Sequence, residues 1–227
     1  GVDGKSNTEN LLIAIQELMD EDPNFEMYVM LGVWIDALNS WTDLEVIHDQ
    51  ENPANADEMA AAVQFAKDYP EIIKVIAVGN EAMVSWATSY NVVPGIILKH
   101  VNALQALKAS GDINENIWIT SSDNHAVWSG IDGNANANDQ ADLKALIAAV
   151  DYISLHTYPF HDTYYNGDFW LVPDDEADLS VLEKADAAIV RAKESAIAEY
   201  TKAQAFMLSK VLSLFIIINI NSKYSIF

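Results

Sequence analysis

Apolar and polar positions along this chain follow two periods, and they alternate. Ser6-x-x-Glu9 reads as a capping box, in which a hydroxyl and a carboxylate satisfy free N–H groups of a helix start. It opens an amphipathic helix predicted to run through about Met19. Met27 to Ile35 (MYVMLGVWI) is a nearly continuous apolar run, the pattern of a strand buried on both faces. A helix is predicted from Asn55 to Tyr69, with Asn55 and Glu58 suited to its N-terminus and Pro70 closing it. Lys74 to Gly79 (KVIAVG) follows as a strand, then a helix from Pro94 to Ser110 ended by Gly111. Ile117 to Ser121 is a third strand, Asp139 to Ala149 a helix, and Asp151 to Thr157 (DYISLHT) a fourth strand. A last helix is predicted from about Leu179 to Tyr200.

Strands spaced by about 35–45 residues, each followed by a helix, imply parallel strands joined by right-handed crossovers. A doubly wound sheet and a (β/α)8 barrel both satisfy that pattern. No Gly-rich phosphate loop follows any strand. Polar and aromatic residues sit just past the strand ends instead: Trp34 and Asp36, Asn80 and Glu81, Asp123 and His125, His156 and Tyr158. Barrel active sites are built from such positions. The fold class expected is therefore α/β, a (β/α)8 TIM barrel that is incomplete, with about four recognisable strands in residues 1–205.

Residues 206–227 have a different texture. All 34 acidic residues precede them, and their apolar core, Val211 to Ile220, is shorter than the ~20 residues that span a bilayer. A buried strand or a membrane-associating tail is one reading of this segment. The preferred reading is a truncated or frame-shifted stretch rather than native barrel sequence.

Composition changes the picture in a few places only. With 227 residues, 51% of them hydrophobic, the chain can bury a sizeable core. A net charge of -22 argues against nucleic acid and anionic membranes as partners and is compatible with a neutral substrate such as a polysaccharide. The lack of cysteine removes disulfides, thiolate nucleophiles and Cys-ligated metals. No leader sequence is recognisable, so any signal peptide is expected outside this chain.

The sharpest chemical signal is Val78-Gly79-Asn80-Glu81 at the end of a predicted buried strand. Glycosidic cleavage needs a carboxylic acid to protonate the leaving oxygen, and an amide beside it can bind the sugar 2-OH. Glu81 is the candidate proton donor and Asn80 its substrate-binding neighbour. Read plainly, the same pair could simply open a helix, whose first turn favours Glu.

The segments LGVWID (Leu31 to Asp36), IAVGNEAM (Ile76 to Met83) and YISLHTYPF (Tyr152 to Phe160) resemble, in order, those of the family 17 glycoside hydrolases, which cleave or rearrange β-1,3-glucans. The resemblance implies a retaining endo-1,3-β-glucanase, with Glu81 as general acid/base and Tyr158 near the nucleophile. It also implies a nucleophilic Glu in an E-T-G-W-type context, and no such motif exists here. Within this chain only Asp123, or less plausibly Asp36, ends a strand beside that of Glu81, and a solvated loop residue or helix cap is the better account of Asp123. The nucleophile is therefore expected outside this chain, and the chain alone is expected to be inactive.

Trp34, Trp86, Trp128, Tyr158, Phe160, Tyr164 and Tyr165 follow strand ends and could stack on glucose rings, although aromatics more commonly pack in cores. Trp118, inside a strand, reads as core. His156 is suited to orienting a carboxylate or a sugar hydroxyl. Trp34, Asp123, His156, Tyr158 and Phe160 complete the expected substrate-binding set with Asn80. His125, His156 and His161, with Asp123 and Asp162, match no known ligand spacing, so no metal and no cofactor is expected. The expected partner is a β-glucan polysaccharide or oligosaccharide bound by a monomer, with no nucleic acid and no stable membrane insertion. The location expected is secreted, periplasmic or cell-envelope associated. The rival readings are a non-catalytic glucan-binding remnant, a β-1,3-glucanosyltransferase and a metal-dependent hydrolase.

Overall fold

The structure, a computed structural model, describes residues 5–131, 137–159 and 173–211. Helix α1 (Asn7–Glu21) opens on Ser6, whose hydroxyl accepts from the Glu9 N–H at 3.0 Å. Strand β1 (Val29–Val33) leads into a hairpin of β2 (Ala37–Leu38) and β3 (Ile47–Glu51), then α2 (Asn55–Asp68) and β4 (Ile73–Asn80). Helix α3 (Pro94–Ser110) has its proline in the first turn and ends at Gly111, whose φ of 78° lets the chain leave the helix. After it come β5 (Trp118–Asn124), α4 (His125–Trp128), α5 (Ala137–Ala149), β6 (Ser154–His156) and α6 (Val181–Val211). The helix α6 runs without a break through residues 206–211, and Phe206 packs against the core.

The main sheet has the order β1-β4-β5-β6, and each of its three pairings is parallel. Leu31 lies opposite Ile76 and Val33 opposite Val78. The alternation of strand and helix is thus as expected, but the expectation of a (β/α)8 TIM barrel is overturned. The described residues form an open four-stranded sheet, and β1 and β6 at its two ends do not pair with each other. The physical reason is that β–α alternation specifies parallel neighbours and does not specify closure.

One face of this sheet carries the core. Leu31, Val33, Ile76, Val78 and Ile119 pack with Ala62 and Ala66 of α2 and Ile97, Val101 and Leu104 of α3, all of them buried. Burying each large aliphatic side chain contributes roughly 1.5–3 kcal/mol. Burial along β1 alternates: Met30 is exposed while Leu31 and Val33 are buried. The apolar run around β1 is therefore buried on one face, not both. Trp118 also departs from its expected place in the core. It is 54% exposed at the start of β5, edge-on to Tyr152 with ring centroids 5.6 Å apart.

An ion-pair cluster fixes the hairpin to α3. The Glu51 carboxylate accepts from Lys99 Nζ at 2.5 Å and meets His100 Nε2 at 2.6 Å. Burial works to raise the Glu51 pKa, and the hydrogen bonds and charges of Lys99 and His100 together outweigh it, holding the carboxyl below its ordinary value of 4.5. A carboxyl depressed on folding adds stability above its unfolded pKa, and that stability is lost as pH falls through the folded value. Glu51→Gln is therefore expected to flatten the loss of thermal stability below about pH 4.5, read as the midpoint of thermal unfolding across a pH series. An unchanged acid limb would refute this role.

Candidate functional site

The C-terminal ends of the parallel strands bring Asp36, Glu81, Asp123 and His156 to one edge of the sheet. Glu81 follows β4 immediately, and its backbone N–H donates to the Ser122 carbonyl on β5 at 2.9 Å. Two unusual backbone conformations make this turn. Gly79 has φ 77°, and a Cβ there would lie 2.9 Å from Ala82 Cβ and 3.1 Å from Ile97 Cδ1. Glu81 itself has φ 47°. Left-handed backbone costs a non-glycine residue roughly 1–2 kcal/mol, so the neighbouring strand and the packing around Gly79 hold Glu81 there. Such strain clusters at functional sites.

The Glu81 side chain is half-buried and faces β6. Its Oε1 lies 3.1 Å from His156 Nδ1, and the Tyr158 hydroxyl lies 3.2 Å from the same nitrogen. One ring nitrogen cannot donate to the carboxylate and accept from the phenol at once. With Glu81 ionised, Nδ1–H donates to it. With Glu81 protonated, Nδ1 accepts. The imidazole can therefore partner the carboxyl in both of its protonation states, as an acid that later acts as a base requires.

Asp123 lies beneath this layer. It is fully buried, and its two oxygens accept from Met83 N at 2.8 Å and Asn124 N at 2.7 Å. It thereby ties the segment after Glu81 to β5. Asn80 is exposed at the end of β4. Asp36 is buried beyond β1, where Asn55 clasps its backbone on both sides. Asn55 Oδ1 accepts from Asp36 N at 3.1 Å and its Nδ2 donates to the Asp36 carbonyl at 2.9 Å. Asn55 does stand at the helix start as read from the sequence, but its side chain serves the strand end.

Trp34, its indole N–H donating to Asp36 Oδ2 at 3.3 Å, is half-exposed beside two aromatic residues that sequence reasoning missed. Trp41 stacks on Tyr90 with centroids 5.0 Å apart and planes at 19°, and Trp34 lies 5.8 Å from Tyr90 and 6.5 Å from Trp41. Backbone bonds from Ala37 N to Tyr90 O and from Trp41 N to Ser89 O join the hairpin to the loop after β4. Burial raises the pKa of Tyr90, and the negative charges of Glu81 and Asp123 raise it further, so its hydroxyl stays protonated beside the site. Trp86 is exposed, whereas Trp128 is fully buried with its N–H on the Ser154 carbonyl at 3.2 Å.

Phe160, His161, Asp162, Tyr164 and Tyr165 lie outside the described residues. His125 stands on α4, 3.7 Å from Glu199 of α6. Among the described residues, no group of three His, Asp or Glu side chains could hold a metal ion, and no helix is long and apolar enough to cross a membrane. A shallow hollow of about 470 Å³ between Lys67, Lys108 and Gly111 lies at the opposite ends of the strands, away from Glu81.

No family model and no curated protein matches the chain. Among solved structures it is similar to an endo-laminarinase from Formosa Hel1_33_131, with 51% sequence identity and a TM-score of 0.83. The similarity covers 91% of this chain and 52% of that one, so the chain spans about half the length of the enzyme it resembles.

Proposed function

We propose that this chain carries the acid/base half of a retaining β-1,3-glucan hydrolase. The observation that carries the reading is the Glu81–His156 pair at the ends of β4 and β6, 3.1 Å apart. The likeness to an endo-laminarinase supports the substrate class, and the family 17 motifs around Leu31, Gly79 and Tyr152 support the retaining chemistry. Glu81 gives its proton to the leaving glucosyl oxygen as the C1–O bond breaks. A second carboxylate attacks C1 and forms the glycosyl-enzyme. Glu81 then takes a proton from the incoming water, which releases the sugar.

A retaining pair must sit ~5–5.5 Å apart. Asp123 is spoken for by Met83 N and Asn124 N, and Asp36 is buried against Trp34. Neither of these carboxylates beside β4 is free to act among the described residues, and no E-T-G-W-type motif occurs in the sequence, so we assign the nucleophile to a segment outside this chain. The test is to supply one: azide or formate, added to the chain with an aryl β-1,3-gluco-oligosaccharide. Azide attacks C1, Glu81 protonates the leaving oxygen, and a glucosyl azide and the free phenol result. Azide-dependent release that falls in Glu81→Gln supports the assignment. Hydrolysis without azide would place a working nucleophile within the chain. Binding with no release under either condition would leave a non-catalytic glucan-binding protein.

A further inference from the structure

We propose that Trp41, backed by Tyr90 and flanked by Trp34, is a platform that takes the C–H face of a β-linked glucose unit, next to the reacting centre. This deepens the glucan-hydrolase reading and rests on it. Two independent observations carry it. Trp41 is 61% exposed although its indole is stacked on Tyr90, so the residue keeps a large surface open to a ligand while its ring is backed. Its backbone also sits at φ 62°, where a bulky residue is an outlier.

An indole that served only packing would gain nothing from either condition. The hairpin instead spends several bonds on holding it out. Asn39, also left-handed at φ 68°, donates from Nδ2 to the Glu45 carbonyl at 2.9 Å. Thr42 Oγ1 donates to the Asn39 carbonyl at 2.7 Å, and Ser40 Oγ to the Ala37 carbonyl at 2.7 Å. A ring fixed in this way loses little freedom on binding. The strand register places the platform beside the site: Trp34 follows Val33, which lies opposite Val78 on β4, three residues before Glu81. The bonds of Ala37 N to Tyr90 O and Trp41 N to Ser89 O hold the other two rings to it. A net charge of -22 over the chain disfavours a nucleotide or a sugar acid and is compatible with a neutral ring.

The test uses the full chain, with laminarihexaose affinity measured by calorimetry and thermal midpoints recorded alongside. Glycine takes a positive φ freely, so Trp41→Gly is expected to weaken binding roughly tenfold and leave the midpoint within about 2 °C. Trp41→Phe is expected to keep most of the affinity. Unchanged affinity in Trp41→Gly would overturn the proposal, and so would a collapse of its midpoint, which would make Trp41 a packing residue. Glu81→Gln separates the two readings. If it abolishes azide-rescued release while Trp41→Gly still binds normally, the platform fails and the catalytic reading stands. If Trp41→Gly loses affinity and no rescue is ever seen, the platform stands and the catalytic reading fails.

Discussion

Glu81→Gln is expected to slow azide-rescued release of a poor leaving group by about 10²–10⁴-fold, the usual contribution of a positioned general acid. Glutamine keeps the size of the side chain and can still reach His156 Nδ1, 3.1 Å from Glu81 Oε1. It has no proton to give at neutral pH. The loss should therefore depend on the leaving group. A methoxyphenol would otherwise depart as a basic oxyanion and so needs the proton, and the full loss should be seen. A dinitrophenol leaves unaided, and the two proteins should then differ little. Laminarihexaose affinity should be unchanged, because the substitution touches the proton and not the aromatic contacts. A loss of equal size for both leaving groups would mean that Glu81 shapes the site rather than acting as its acid.

Asp123→Ala is expected to destabilise the fold by about 3–5 kcal/mol, because two charge-assisted hydrogen bonds of roughly 1.5–3 kcal/mol each vanish. The Met83 and Asn124 N–H groups would be left buried without their acceptor. At roughly 2–4 °C per kcal/mol for a chain of this size, the thermal midpoint should fall by about 10 °C. Asp123→Asn should lose less, since its amide oxygen can still accept from one of the two N–H groups. Met83 lies just past Glu81, so the alanine variant should also lose rescued turnover at temperatures where it remains folded. An unchanged midpoint with weakened glucan affinity would instead make Asp123 a direct substrate contact.

The sequence revealed what depends on neighbours along the chain. Ser6 with Glu9, Pro94 with Gly111 and the apolar run before Gly79 act over one helical turn or one strand, so α1, α3 and β4 were readable within a few residues. The position of Glu81 just past β4 was readable because it belongs to the same local pattern. Closure of the sheet was not readable, because open and closed sheets share the β–α alternation. The face of Trp118 was not readable either, since a strand's apolar residues do not say which side of the sheet the helices cover. Contacts made by the backbone left no trace at all. Asp123 serves the N–H groups of Met83 and Asn124, and every residue but proline offers one. Trp41 meets Tyr90 because main-chain bonds of Ala37 and Trp41 stitch two loops together. No spacing in the sequence encodes that meeting.

The hold on Glu81 comes from the carbonyl of residue 122, and every amino acid has a carbonyl. Drift at that position cannot remove the anchor. The Ser122 hydroxyl is itself buried without a hydrogen-bond partner among the described residues, so Ser122→Ala discards only a polar atom that they had left unanswered. Tolerance at this corner is therefore lopsided. The residue that grips the acid can be exchanged among small side chains over generations, while Gly79, which touches no substrate in this scheme, has nowhere to go.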